Sequence, residues 1–138
     1  MSKRILYLED ESTTRTAMAY LLRQEGYDVI SYSNAEEALP HIPAGDIDAA
    51  VLDIRLLGRF GDDYGRELAE HHPGIQILFL TAEEDIERVK QLVPTAMIIR
   101  KPVDIGVLLE LLRCHDIPIE VQSKTPPPET LPFPNQAS

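Results

Sequence analysis

The chain has 138 residues, which suits one domain by the rough prior of ~100–200 residues each, and needs no metal or disulfide staple to fold. Its 23 Asp and Glu against 13 Lys and Arg give a formal charge of −10 spread along the chain, a poor starting point for binding nucleic acid or an anionic membrane unaided. The single cysteine, Cys114, excludes an internal disulfide framework and a Cys-rich zinc site, and no apolar run approaches the ~18–20 residues of a membrane span.

Met1-Ser2-Lys3-Arg4 leads into the apolar run Ile5–Leu8 and then Glu9-Asp10-Glu11, which is not a signal peptide. A cytoplasmic location is the resulting expectation. Ile5–Leu8 reads as a first strand. Ser12 or Thr13 is expected to cap a helix that carries Ala17, Met18, Leu21 and Leu22 and ends at Gly26. Tyr27–Tyr32 alternates apolar and polar residues and so reads as an edge strand. Asn34 is expected to cap a short helix over 35–39, limited by Pro40 and Pro43. Ala49–Leu52 is a third strand, followed by Asp53, and 64–71 a helix that stops near Pro73-Gly74. Ile75–Leu80 is a fourth strand, followed by Thr81-Ala82, and 83–92 a helix whose Glu83-Glu84-Asp85 start suits the helix dipole. Ala96–Ile99 leads to Arg100-Lys101-Pro102. Asp104 then caps a helix with Ile105, Leu108, Leu109 and Leu112 on one stripe.

Six of the eleven prolines lie between Pro118 and Pro134, where they deny the backbone its donors. The folded unit is therefore expected to span 1–117, with 118–138 a Pro-rich flexible tail. Four of the five strands are apolar almost throughout, as strands covered on both faces are. Strands alternating with helices give an α/β fold, a doubly wound parallel sheet of the (βα)5 type.

In such a sheet, sites form beyond the carboxyl ends of the strands. There the sequence places Glu9-Asp10-Glu11 and Asp53, with Thr81-Ala82 and Arg100-Lys101-Pro102 at the ends of the neighbouring strands. Clustered carboxylates repel unless a cation sits among them, and a hard divalent ion with oxygen ligands fits, Mg²⁺ best. Such a pocket, with a nearby ammonium and hydroxyl, suits phosphate chemistry.

Ile5-Leu-Tyr-Leu-Glu-Asp-Glu11, Ala50-Val-Leu-Asp-Ile-Arg-Leu56, Leu78-Phe-Leu-Thr-Ala82 and Ile99-Arg-Lys-Pro102 resemble, in order, the markers of the CheY-like receiver domains of bacterial two-component response regulators. The resemblance spans about residues 3–115. It implies a flavodoxin-like strand order of 2-1-3-4-5. It also implies that Asp53 is the phosphoacceptor, that Glu9, Asp10, Asp53 and the Arg55 backbone carbonyl hold Mg²⁺, and that Thr81 is the switch hydroxyl. Lys101 would pair with the phosphoryl group, the Ala82 N–H would contact it, and Pro102 would follow a cis peptide bond. The implied partners are a sensor histidine kinase or histidine phosphotransfer protein and a downstream protein target on the faces of the helices from Glu83 and Ile105, with no direct contact to nucleic acid and no membrane insertion.

The expected function is that of a single-domain response regulator, a signalling phosphoacceptor rather than an enzyme. A phosphorylation-independent interaction module, or the receiver fragment of a larger regulator, is the alternative. A phosphatase with an aspartate nucleophile usually has a second Asp two residues on, where this chain has Arg55.

Four departures from the pattern stand out. The acidic pair is Glu9-Asp10 where Asp-Asp is commoner. About four residues are inserted between Ile54 and Gly65, the glycine that aligns with the family's. Ile98 replaces the usual aromatic. Arg55 and Glu83 flank the pocket with opposite charges, expected as two separately solvated side chains, with pairing across its mouth as the alternative. His71-His72 is expected as a helix-end surface pair, His41, His115 and Cys114 as structural residues, and Pro126–Pro128 as part of the tail.

Overall fold

Strand formation follows the apolar runs. In the computed structural model, which describes residues 3–54, 61–81, 86–113 and 120–122, the strands are β1 (Arg4–Leu8), β2 (Asp28–Tyr32), β3 (Ala49–Asp53), β4 (Gln76–Thr81), β5 (Met97–Arg100) and β6 (Glu120–Gln122). All pair in parallel, in the order β2-β1-β3-β4-β5-β6. The first five stand in the expected order, with β2 at an edge. β6 lies beyond residue 117, in the segment read from its prolines as tail. None of its three residues is a proline, so each keeps the N–H that a ladder needs. It pairs with β5 in the register Ile98↔Glu120, Ile99↔Val121 and Arg100↔Gln122.

Alternation along the inner strands divides the side chains between two buried layers. Leu6, Leu8, Ala50, Leu52, Ile77, Phe79 and Ile98 pack with the layer formed by α2 (His41–Ala44), α3 (Gly61–His71) and α4 (Ile86–Leu92). Ile5, Tyr7, Val51, Leu78, Leu80 and Ile99 pack with α1 (Ser12–Gln24) and α5 (Ile105–Arg113). Helices on both faces explain why these strands lack a polar side.

The helices differ from the sequence reading in four respects. Glu11, not Ser12 or Thr13, caps α1: its carboxylate accepts from the backbone N–H of Thr14 at 2.7 Å and of Thr13 at 3.4 Å. The buried stripe of α1 is Met18, Ala19 and Leu22, while Ala17 and Leu21 face solvent. The helix thus rests on the sheet through the small Ala19, one residue round from the expected face. Residues 36–38 form a 3₁₀ turn, in which Asn34 Oδ1 accepts from Glu37 N–H at 2.9 Å, and α2 follows. Pro43 fits inside α2 because the first turn of a helix needs no donor. Finally, α3 starts at Gly61, three residues before Tyr64. Asp104 does cap α5, accepting from Gly106 N–H at 2.7 Å and Val107 N–H at 3.4 Å.

Candidate functional site

The strand order reverses direction between β1 and β3, so the loops leaving their carboxyl ends part and open a crevice. β1 delivers Glu9 to that crevice. The Glu9 N–H still donates to Tyr32 O at 3.1 Å, extending the β1–β2 ladder by one bond before the chain turns away. Glu9 Oε2 accepts from Glu11 N–H at 3.2 Å, and Arg15 in the first turn of α1 donates to the Glu9 carbonyl at 2.9 Å. The acidic loop is therefore fastened at both its side chain and its backbone.

Asp53 closes β3 and is 1 % exposed. Its position is held by the next residue, whose N–H bonds to Leu80 O at 3.0 Å. Across the sheet, Lys101 N–H bonds to Thr81 O at 2.9 Å, so the β4–β5 ladder runs to the very edge of the site. From there the Lys101 ammonium reaches Asp53 Oδ2 at 2.8 Å. The Lys101–Pro102 peptide bond is cis, as the resemblance implied. Thr81 ends β4 and is buried at the same edge.

Glu9, Asp10 and Asp53 each bring a carboxylate oxygen within 4.8 Å of the others'. Among the described residues three acids meet one ammonium here, and Glu9 carries the consequence. Burial pushes its carboxyl up to about 7, the charges of Asp53 and Asp10 add to that, and the Glu11 N–H and Lys101 oppose it. An all-oxygen donor set of this kind fits a hard divalent cation such as Mg²⁺, which would be held by Glu9, Asp10 and Asp53.

The structure thus brings Glu9, Asp10, Asp53, Thr81 and Lys101 to one edge. Arg55, Ala82 and Glu83 lie outside the described residues, as do Cys114, His115 and Pro126–Pro128, and most of the inserted loop. Ile98 is buried in the core opposite Phe79, its register partner on β4, so the position where the resemblance expects an aromatic carries a buried aliphatic side chain. His41 has partners that the sequence did not reveal: Tyr32 Oη at 2.9 Å and Asp46 Oδ1 at 3.0 Å. His71 is exposed and donates to Glu67 O at 3.0 Å, whereas His72 is half-buried and bonds to Ile42 O. Sequence reasoning missed Arg15, whose guanidinium holds the Glu9 carbonyl.

Residues 5–113 match the family model described as the response regulator receiver domain. The chain is 33 % identical over 111 residues to a cyclic di-GMP phosphodiesterase of Thermotoga maritima, a match covering 79 % of this chain and 28 % of that protein. Among solved structures, a CheY-like receiver domain protein of Methanospirillum hungatei superposes with a TM-score of 0.74 at 27 % identity, covering 82 % of this chain and 92 % of that one. The response regulator TrrA of Thermotoga maritima, solved in complex with Mg²⁺ and BeF, gives 0.71 at 26 % identity, covering 80 % and 96 %. The chain spans well under half the length of the curated relatives it matches.

Proposed function

The chain belongs to the family of response regulator receiver domains, and from that premise we propose that it accepts a phosphoryl group on Asp53 and passes the signal on through protein contacts. The observation that carries this reading is the pairing of Lys101 Nζ with Asp53 Oδ2 at 2.8 Å while Glu9 and Asp10 converge on the same carboxylate.

The chemistry is nucleophilic. An Asp53 carboxylate oxygen attacks the phosphorus of a phosphohistidine on a histidine kinase or phosphotransfer protein. The P–N bond breaks, the imidazole leaves, and an acyl phosphate remains on Asp53. Water later attacks that phosphorus and releases inorganic phosphate, returning the carboxylate. Mg²⁺, when bound by Glu9, Asp10, Asp53 and the Arg55 carbonyl, supplies positive charge against the phosphoryl oxygens. Lys101, paired with the buried carboxylate at 2.8 Å, holds it aligned and then meets the added phosphoryl charge with its ammonium. The Thr81 hydroxyl, at the end of the neighbouring strand, donates to a phosphoryl oxygen, as does the Ala82 N–H. Movement of Thr81 is read out through the aliphatic packing around Ile98 rather than through a ring. Such a protein is a signalling phosphoacceptor with slow self-dephosphorylation rather than a turnover enzyme, and its output goes to a downstream protein.

Incubation with acetyl phosphate and Mg²⁺, followed by intact-mass measurement, tests this. The expected result is one phosphate-sized mass increase, lost in Asp53→Ala and prevented by EDTA. An unmodified wild-type chain would favour a phosphorylation-independent module, and rapid turnover of many phosphate esters would favour a phosphatase.

A further inference from the structure

The chain's lysines are Lys3, Lys90, Lys101 and Lys124. Lys90 and Lys101 face carboxylates, those of Glu87 at 3.7 Å and Asp53 at 2.8 Å. Lys3, half-buried at the foot of the sheet, is held differently. Its Nζ donates to two neutral acceptors, Leu112 O in the last turn of α5 at 2.7 Å and Gln76 Oε1 at the start of β4 at 3.2 Å. The Gln76 amide is itself fixed, since its Nε2 donates to Leu111 O at 2.8 Å, and Lys3 O accepts from Asp28 N–H at 3.0 Å. Burial pushes the Lys3 amine below the ordinary lysine value, and the charge of Asp48 opposes that shift. An ammonium carries three N–H bonds, of which these acceptors use two. Loss of the third proton leaves both hydrogen bonds in place and frees an electron pair directed away from both acceptors. Lys3 thus becomes a nucleophile without leaving its site.

We propose that the Lys3 amine is an acylation site whose donor is an acyl phosphate, and that its modification unties the last turn of α5 from the sheet. The neutral amine attacks the carbonyl carbon of the donor. The N–C bond forms, the C–O bond to phosphorus breaks, inorganic phosphate leaves with the electron pair, and the surplus amine proton passes to water. The resulting amide has no charge and one N–H, so either Leu112 O or Gln76 Oε1 loses its donor. The site uses neither Asp53 nor a cation. Acetylation should therefore persist in EDTA and in Asp53→Ala, with an acetyl-sized mass increase distinct from the phosphate-sized one.

The test is treatment of the full chain with acetyl phosphate in EDTA, followed by peptide mapping against time. Cleavage before Asp10 releases the segment ending at Glu9, in which fragmentation separates Lys3 from the α-amine. Near neutral pH, Lys3 should be acetylated about threefold faster than Lys90, although Lys90 is the more exposed. The rate at Lys3 should level off below pH 10.5, the ordinary lysine value. In the acetylated chain, amides of the last turn of α5 should exchange about fivefold faster with solvent deuterium, the scale of one hydrogen bond. Lys3→Gln should show that faster exchange without reagent, and Lys3→Arg should keep the slow exchange and take no acetyl group there. Acetylation at Lys3 no faster than at Lys90, or an acetylated Lys3 that leaves exchange in α5 unchanged, overturns the proposal.

Discussion

Glu9 is a buried carboxyl raised from 4.5 to about 7 by its surroundings. A group whose pKa is higher in the folded than in the unfolded chain binds more protons when folded between those two values, so stability falls as pH rises across that window. Without divalent ions, the free energy of unfolding should fall between about pH 4.5 and 7, by on the order of 3 kcal/mol at most from this group. Glu9→Gln should flatten that slope, and urea denaturation at several pH values in EDTA measures it; an unchanged slope would mean that Glu9 is not the strained acid. The types of residue in the pocket were legible because each follows an apolar run, and strand ends share an edge. Their fastenings were not. Arg15 holding the Glu9 carbonyl, and Lys101 reaching Asp53 from two strands away, depend on distances that no local pattern encodes.

Among the elements, α3 sits closest to the sheet at Gly65. A Cβ there would lie 2.6 Å from Phe79 Cζ and 2.8 Å from Cε1, and Phe79 is fully buried, with little room to give. Gly65→Ala should therefore push α3 from β4 at a net cost of about 1–2 kcal/mol, because overpacking outweighs the gain in helix propensity. A lowered urea midpoint with unchanged slope is the expected result, and an unchanged midpoint would contradict the close packing. α5 is tied down at its other end: Lys3 donates to Leu112 O at 2.7 Å and Gln76 Nε2 to Leu111 O at 2.8 Å, so the last carbonyls of the helix are satisfied by the foot of the sheet. Strands were read to within a residue or two because burial on both faces leaves a nearly unbroken apolar run. Helix faces were harder. For α1, the choice between Leu21 and Ala19 as an inward residue turned on how closely the helix approaches the sheet, not on hydrophobicity.

At the scale of the whole molecule, every residue assigned to the site lies between Glu9 and Lys101, and β6 is a three-residue addition to the β5 edge. A chain ending before Glu120 should keep its Asp53 chemistry and lose roughly 1–3 kcal/mol from a few edge hydrogen bonds. Hydrogen exchange should show faster β5 amides in that chain, and loss of phosphate acceptance would give β6 a role in the site itself. No helix among the described residues is long and apolar enough to cross a membrane. The parallel order β2-β1-β3-β4-β5 followed from alternating strands and helices together with the family likeness, whereas β6, between prolines, carried no comparable signal. The claim on which the rest turns is that the buried carboxylate beside Lys101 is the one that takes the phosphoryl group. Borohydride reduction of the acetyl phosphate-treated chain, followed by peptide mapping, reads this directly, since an acyl phosphate is reduced to the alcohol at its own residue. Homoserine at position 53 is the predicted result, and reduction at Glu9 or Asp10, or at no carboxylate, would contradict the account.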